Sequence, residues 1–351
     1  MVSNKTLIFK KIPTGKPIPG EHITVEDRLV DITTPPPGGV ILSVLYASFD
    51  PYLLSNMRDA KIKSYSPAFA LDGPVETDTV ARIVKSDSPE LYQEGDQVLA
   101  YLPLAEHVVL DQSELGRIRT KLRNPHKLRD LGMFLGPLGM PGLTAWSSLY
   151  EIGRPKSGET IFISSAAGAV GQVVGQIAKR EGLKVIGSVG SEEKVEFITK
   201  ELGFDGGFNY KTERAKVALK RLAPQGVDIY YDNVGGEQLA DAIDAMNVFG
   251  RIIACGGISE YTIPVEQRYG VRNLVLIASK RLTMRGFLVY DQGFWDKYED
   301  DHQEKMQKWL AEGSIRAKLH VTEGIDNAAE GLVAIFEGKN FGKAVLKIRG
   351  E

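Results

Sequence analysis

The stretch that decides the fold is Ile161-Phe162-Ile163-Ser164-Ser165-Ala166-Ala167-Gly168-Ala169-Val170-Gly171. The run 161–164 predicts a buried strand, the small residues after it a tight turn, and the chain that follows a helix through Arg180. Positions 166, 168 and 171 carry small residues at the spacing of a dinucleotide fingerprint. Small residues let the backbone approach a pyrophosphate, whose charge the helix N-terminus stabilises. Helix–strand packing alone is the ordinary alternative, but the strand–turn–helix order favours dinucleotide binding.

Strands and helices alternate after this turn. Strands are predicted at 184–189, 208–210, 227–232, 251–255 and 281–287, with helices at 192–202 and 213–222. This alternation predicts a parallel, doubly wound Rossmann sheet, hence an α/β fold. The first third of the chain instead shows short apolar alternation at 7–11, 23–31, 40–48, 79–85 and 97–101. That pattern is typical of a small, mostly β domain.

The length of 351 residues predicts two domains. We expect the mostly β domain over residues 1–130 and the dinucleotide-binding domain over 131–300. Residues 301–351 carry predicted helices at 303–312 and 328–336 and strands at 317–321 and 343–348. These elements have no complete core of their own, so we expect them to return to the first domain and make it discontinuous.

Composition excludes several classes of protein. A net charge of -2 favours neither nucleic acid nor an anionic membrane, and 43% hydrophobic with 25% charged residues is ordinary for a globular protein. No apolar run is long enough to span a bilayer, and the first residues lack a secretory signal. The C-terminal residues 347–351 carry no lipidation or peroxisomal motif. We therefore expect a cytoplasmic location.

A metal site is not expected. Cys255 is the one cysteine, whereas a structural zinc site needs about four Cys or His ligands. The five histidines form no HxH or HxxxH pair, so a three-histidine site has no sequence support beyond their number.

The end of the second predicted strand bears on which dinucleotide binds. An NAD site has Asp or Glu there to bind the ribose 2′-OH. This chain has Gly187-Ser188-Val189-Gly190-Ser191, and Lys194 follows one helical turn later, where its ammonium could meet a 2′-phosphate. The expected cofactor is therefore NADPH/NADP. An ordinary exposed helix lysine is the alternative for Lys194, and Glu192 or Glu193 approaching the ribose is the counter-argument.

Two further loops end the fourth and fifth strands. They are Tyr231-Asp232-Asn233-Val234-Gly235-Gly236 and Ala254-Cys255-Gly256-Gly257-Ile258-Ser259. Ligands of open α/β sheets lie beyond the carboxyl ends of the strands, so these loops should line the nicotinamide side. Plain turn chemistry is the alternative, and we give Cys255 no catalytic role.

Several motifs occur together and in order. They are Gly139-Met140-Pro141-Gly142-Leu143-Thr144-Ala145, the turn at 166–171, the loop at 231–236, Cys255-Gly256-Gly257-Ile258-Ser259-Glu260-Tyr261, Met284-Arg285-Gly286-Phe287 and Asn340-Phe341-Gly342-Lys343. With them the chain resembles the zinc-independent medium-chain dehydrogenases/reductases, in the branch of leukotriene B4 12-hydroxydehydrogenase/prostaglandin reductase. It is similar also to the plant NADPH-dependent alkenal double-bond reductases. The resemblance covers nearly the whole chain.

The resemblance implies a GroES-like substrate domain and reduction of the C=C bond of α,β-unsaturated aldehydes and ketones (enals and enones). By the same resemblance, the NADP contacts fall on Ala167, Gly168, Ala169, Val170, Lys194, Tyr210, Asn233, Cys255, Gly256, Gly257, Ile258, Ser259, Glu260, Tyr261, Phe287, Leu288, Val289 and Asn340. Tyr52 matches a substrate-pocket position in Asp50-Pro51-Tyr52. The chain departs from the usual pattern at 53–56 and at 72–76, which puts the substrate in question.

Hydride transfer to an enone builds negative charge on the carbonyl oxygen, which a hydroxyl donor must stabilise. Tyr261, Tyr52 and the ribose 2′-OH of the cofactor are the candidates, in that order; either tyrosine could instead only shape the pocket. A zinc-independent quinone reductase and a non-enzymatic NADPH-binding protein are the rival functions.

A homodimer is predicted from the apolar stretch 274–278 beside the final sheet strand, which could add to a partner's sheet edge.

Overall fold

A computed structural model describes residues 1–348 of the chain. Positions 349–351, which end both the predicted return segment and the C-terminal stretch predicted to carry no targeting motif, lie outside the described residues. The chain divides into two compact units. The first unit comprises Met1–Leu135, Leu319–Asn340 and the described residues from Ala344 onward, and the second comprises Gly136–Lys318 and Phe341–Lys343.

The N-terminal part of the first unit consists of strands and one short helix. The elements are β1 Lys5–Phe9, β2 Ile23–Asp27, β3 Val40–Ser48, α1 Tyr52–Asn56, β4 Glu76–Ser86, β5 Gln97–Pro103, β6 His107–Leu110 and β7 Ile118–Lys121. β3 is buried along its whole length, in keeping with a sequence that is apolar at most of its positions.

The second unit is the predicted α/β domain. Its elements are α2 Met140–Ser148, β8 Thr160–Ile163, α3 Gly171–Arg180, β9 Lys184–Val189, α4 Glu192–Glu196, β10 Gly206–Asn209, α5 Ala215–Leu222, β11 Val227–Asp232, α6 Gly236–Ala245, β12 Met246–Ala254, α7 Val275–Ser279, β13 Thr283–Gly286 and α8 Trp295–Ala311. The six described strands pair in parallel in the order β10-β9-β8-β11-β12-β13. The order reverses beside β8, so the sheet is doubly wound and the predicted Rossmann class is confirmed.

The remaining elements complete the first unit. They are β14 Leu319–Glu323, α9 Ala328–Ala334 and β15 Lys343–Lys347, of which Lys343 alone belongs to the second unit. Among the described strands of this unit, seven form one sheet with the path β14-β15-β3-β4-β5-β7, and β6 pairs with β3. β15 is antiparallel to β3, with Val345 opposite Ser48. The mostly β class of this unit is confirmed.

Two expectations need correction. The boundary predicted at residue 300 falls inside α8, which begins at Trp295 rather than at 303 and belongs to the second unit because it packs against α2. The stretch 274–278 cannot add to a sheet edge because it lies almost entirely in helix α7, which satisfies its backbone groups internally. The exposed edge is β13 instead.

His302 holds α8 against the start of α2 within the second unit. Its Nε2 lies 2.8 Å from the Pro137 carbonyl oxygen, so Nε2 carries the proton, and its ring lies 5.8 Å from that of Trp146. Complete burial lowers the pKa of His302 to about 4. The imidazole is therefore neutral in the folded protein at neutral pH.

We expect acid to destabilise the second unit through this group. The pKa is near 6.5 in the unfolded chain and about 4 in the folded one, so its contribution is full above pH 6.5 and is lost as the pH falls toward 4, a difference of about 3 kcal/mol. His302→Gln keeps a donor but cannot titrate. Urea unfolding followed by tryptophan fluorescence at pH 7.5 and pH 4.5 should show the larger loss in the unsubstituted protein. Equal losses in both proteins would contradict the assignment.

Candidate active site

The predicted cofactor residues of the second unit follow the carboxyl ends of its strands. Lys194 and Tyr210 come after β9 and β10, positions 167–170 after β8, Asn233 after β11, positions 255–261 after β12 and positions 287–289 after β13. In a parallel sheet these ends lie at one edge, which is where such folds bind ligands. The tertiary structure thus brings these separate segments to one side of the unit.

The fingerprint turn between β8 and α3 is closely packed. A Cβ at Gly171 would lie 2.5 Å from the Ser165 carbonyl oxygen and 2.8 Å from Cα of Ala166. Ser165 itself has a φ of 51°, a left-handed conformation uncommon outside glycine. The turn therefore leaves room for no side chain at 171, and its backbone stays open to approach.

Gly171→Ala tests this packing. The added methyl meets backbone, which has no rotamer to change, and overpacking of this kind costs about 1–3 kcal/mol. We expect the second unit to lose stability by that amount and the turn to lose at least about tenfold in affinity for NADP⁺, measured by urea unfolding and calorimetry. Gly270→Ala is the matched control, since its Cβ would meet nothing within 4 Å. If both variants matched the unsubstituted protein, the turn would be looser than described.

Lys194 lies in the short helix α4 that follows β9, and the Ser191 hydroxyl caps this helix by accepting a hydrogen bond from the Lys194 backbone N–H at 3.3 Å. The pKa of Lys194 is lowered, first by burial and then by the charge of Lys211, while Glu193 acts weakly in the opposite direction. Glu192 accepts a hydrogen bond from the Asn209 amide at 3.1 Å.

Tyr210 and Lys211 reach the same place from β10. A Cβ at Gly190 would lie 3.3 Å from the Tyr210 ring and 3.5 Å from Cε of Lys211, so glycine leaves room for both side chains. Lys211 was not among the predicted site residues, although it follows Tyr210 directly in the chain.

The loop after β11 is fixed by buried polar groups. Asn233 donates to Ser164 twice, from its backbone N–H to Oγ at 2.9 Å and from Nδ2 to the carbonyl oxygen at 2.7 Å. The Asp232 carboxylate accepts from the Tyr230 hydroxyl at 2.8 Å and from the Gly235 N–H at 2.8 Å. Burial raises the pKa of Asp232 despite these donors. These bonds hold Asn233 at the strand end.

The loop after β12 holds Tyr261 through its hydroxyl. The oxygen accepts a hydrogen bond from the Gly257 backbone N–H at 3.0 Å, and a Cβ at Gly256 would lie 3.0 Å from it. Tyr261 is 42% exposed, so the ring is accessible to a ligand. A hydroxyl that accepts a hydrogen bond is polarised and becomes a better donor.

Cys255 lies at the start of this loop. Although the residue as a whole is half-buried, its thiol is enclosed and hydrogen-bonded to Tyr231, and burial raises the pKa of the thiol to about 12. The Tyr231 hydroxyl also lies 2.8 Å from the Ser148 hydroxyl on α2. The thiol is therefore protonated and inert at neutral pH.

The other predicted residues lie as follows. Phe287 stacks on Phe294 with ring centroids 5.1 Å apart, beyond the end of β13. Tyr52 begins α1 in the first unit, half-buried against the apolar cluster that contains Leu53. Asn340 is half-buried and also belongs to the first unit.

Among residues 1–348 the structure has neither a candidate metal-binding cluster nor a candidate membrane-spanning helix. Between residues 1 and 348 no three His, Cys, Asp or Glu side chains gather as a group that could hold a metal ion. Over the same residues no helix is both long enough and apolar enough to cross a membrane.

Family models match both parts of the chain, one described as the N-terminal domain of oxidoreductase over residues 5–118 and one as zinc-binding dehydrogenase over 169–306. The chain is 50% identical to the NADP-dependent oxidoreductase RED1 of Cochliobolus heterostrophus, over 99% of this chain and 98% of that protein. The chain belongs to the medium-chain dehydrogenase/reductase family. This family member is an NADP-dependent oxidoreductase.

Two further relatives extend the comparison for this medium-chain dehydrogenase/reductase. It is 39% identical to the NADP(+)-dependent 2-alkenal reductase of Nicotiana tabacum, over 100% of this chain and 99% of that protein. It shares 32% identity and a TM-score of 0.86 with the crystal structure of CurA in complex with NADPH from Vibrio vulnificus, covering 99% of this chain and 100% of that one. NADP(H) is the cofactor.

The residues of this family member fit that cofactor. The turn at 165–171 is a cradle that a Cβ at Gly171 would fill, and where an NAD site has a carboxylate after β9 this chain has Lys194 in α4, with Lys211 nearby after β10. Glu192 is engaged by Asn209, and the attraction of exposed Glu193 is outweighed by burial and Lys211. The two glutamates are therefore weak evidence for an NAD site.

Proposed function

We propose that the protein reduces the C=C bond of α,β-unsaturated aldehydes and ketones with NADPH, without zinc, in the cytoplasm. The observation that carries the proposal is Tyr261 beyond the end of β12, a residue that is 42% exposed and whose hydroxyl is polarised by the Gly257 N–H at 3.0 Å. The whole-length similarity to the 2-alkenal reductase of Nicotiana tabacum supports it.

In this mechanism the chain's own residues bind and orient. The turn at 167–170 and the N–H groups that open α3 would hold the pyrophosphate, and Lys194 with Tyr210 the 2′-phosphate end. Asn233, the loop 255–261, positions 287–289 and Asn340 would line the rest of the cofactor. When bound, NADPH supplies the hydride that the β-carbon of the substrate accepts.

Tyr261 would act on the substrate directly. As negative charge grows on the carbonyl oxygen, the tyrosine O–H donates to it, and because the Gly257 N–H already fixes the phenol oxygen, little reorganisation is needed. Tyr52 is proposed as the second hydroxyl of the substrate pocket. The reaction also consumes one proton at the α-carbon of the product.

The proposal is tested by incubating the protein with NADPH and trans-2-hexenal or a simple quinone, following absorbance at 340 nm and identifying the product. Hexanal as the product supports the proposal. Hexenol would mean carbonyl reduction, turnover of the quinone alone would mean a quinone reductase, and NADPH binding without any turnover would mean a non-enzymatic role.

We propose further that two copies associate through the β13 edge. All four residues of β13 are exposed, and in the described sheet this strand pairs only with β12. Leu274 and Val275, which come shortly before β13 in the chain, are 50% and 73% exposed, an apolar surface suited to a second copy. Light scattering at micromolar concentration should give a dimer that Val275→Arg weakens, and a monomer would remove the proposal.

A further inference from the structure

Two lysine ammonium groups lie over a pair of phenylalanine rings in the second unit. Phe197 and Phe341 meet edge to face with centroids 5.0 Å apart. The Lys318 ammonium lies 3.7 Å from the Phe341 centroid and 5.5 Å from that of Phe197, and the Lys194 ammonium lies 5.8 Å from the Phe341 centroid. Lys211 is close enough to Lys194 for its charge to act on it. Phe341 therefore has two ammonium groups within cation–π range.

The backbone fixes this arrangement beside the fingerprint turn. The Gly342 N–H donates to the Ala167 carbonyl oxygen at 3.1 Å, and the Lys343 N–H donates to that of Lys318 at 3.0 Å. Gln172 on α3 then binds both backbone groups of Lys318, accepting from its N–H at 2.9 Å and donating to its oxygen at 3.2 Å. Chain segments far apart in sequence are thus held against the dinucleotide-binding turn.

Gly342 is required for this crossing. Its φ is 87°, and a Cβ there would lie 2.0 Å from the Lys318 carbonyl oxygen. Only glycine lets the two segments approach so closely, so the positions of Lys318 and Phe341 are set together.

Lys194 is half-buried and the ammonium of Lys211 acts on it with a like charge, so both effects disfavour the charged form of Lys194. A bound dianion removes the repulsion and gains a charge-assisted hydrogen bond from each lysine that reaches it. The cluster therefore has the electrostatics of a phosphate site, at the sheet edge where the cofactor's adenosine end belongs.

We infer that Lys318, which shares the Phe341 ring with Lys194, and Lys211, whose Cε lies close to Gly190, act with Lys194 as one three-lysine site for the 2′-phosphate of NADP(H). The inference rests on the proposed role of Lys194. Lys211 and Lys318 are specificity-determining residues in it, and Phe341 is a positioning residue that holds the ammonium groups of Lys194 and Lys318 apart but near.

The test is calorimetry with NADP⁺, NAD⁺ and adenosine 2′,5′-bisphosphate on the full chain, with no turnover involved. The variants are Lys194→Gln, Lys211→Gln, Lys318→Gln, Phe341→Leu and Phe341→Tyr. Lys200→Gln is the matched control, because Lys200 is an exposed lysine in the turn after α4 that pairs with Glu196 at 3.3 Å.

We expect Lys211→Gln and Lys318→Gln each to weaken NADP⁺ and the bisphosphate about five- to tenfold, with NAD⁺ changed less than twofold. Phe341→Leu should weaken the binding of the same two ligands about threefold. Phe341→Tyr keeps an aromatic ring and should bind them as tightly as the unsubstituted protein does. Added salt should narrow these differences. Lys200→Gln should change nothing.

Failure of the inference is distinguishable from failure of the proposed function. If only Lys194→Gln lowered NADP⁺ affinity, Lys194 would act alone and the three-lysine site would be wrong. Equal weakening of NAD⁺ and NADP⁺ by Lys211→Gln or Lys318→Gln would mean a structural role and would also overturn it. If the unsubstituted protein bound NAD⁺ as tightly as NADP⁺, the proposed role of Lys194 itself would fail.

Discussion

Tyr261→Phe is expected to lower kcat for trans-2-hexenal by about 10²–10³, the usual cost of removing one donor to a developing oxyanion. The phenyl ring keeps the shape of the loop, and the lost atom is the hydroxyl that accepts the Gly257 N–H at 3.0 Å. The affinity for NADPH should change little, because the missing hydrogen bond forms mainly in the transition state. Stopped-flow measurement of the hydride step gives the rate free of product release.

The matched control is Tyr269→Phe, an exposed tyrosine that follows on the same segment. It should retain full turnover. A Tyr261→Phe enzyme within twofold of the unsubstituted rate would show that Tyr261 only shapes the pocket, and Tyr52→Phe would then be the next variant to measure.

Cys255 is expected to react with N-ethylmaleimide or an enal about 10³-fold more slowly than an unshielded thiol at pH 7.5. Its pKa of about 12 lies three units above the ordinary value of 9.0, so the reactive thiolate is correspondingly rare. Burial penalises the charged thiolate and so raises the pKa. Because this pKa lies well above pH 9.5, the reaction rate should rise with pH up to pH 9.5 without levelling off. Intact-mass spectrometry follows the adduct.

Ala311→Cys supplies the comparison, because residue 311 is exposed at the end of α8. This variant should gain one adduct quickly and a second only after urea unfolding. Rapid modification of the unsubstituted protein would contradict an enclosed thiol. A protein whose proposed substrates alkylate thiols benefits from having its one cysteine in this state.

Much of the second unit could be predicted because its signals are local. The run 161–171 has the strand, turn and helix in the observed order, and the strands at 184–189 and 227–232 have the predicted bounds. Helix α6 was not predicted. The helix begins at Gly236, after Gly235 at its N-cap; both glycines have a positive φ, and a pair of glycines taken alone predicts a turn. The helix is followed at once by Met246 in a strand, with no separate signal for its end.

What the sequence determined by itself was the alternation of strands and helices around the fingerprint turn, the small residues of that turn and the missing carboxylate after β9, because each depends only on neighbours in the chain. Only the tertiary structure placed Lys318 and Phe341 beside that turn, since the Gln172 side chain binds the backbone of Lys318 and the Gly342 N–H binds the Ala167 carbonyl oxygen, joining segments about 145 to 175 residues apart. It also decided that Cys255 is inert and His302 neutral. Burial and the approach of distant backbone have no signature in a local pattern of residues, so the charges that gather around a ligand become visible only after the chain has folded.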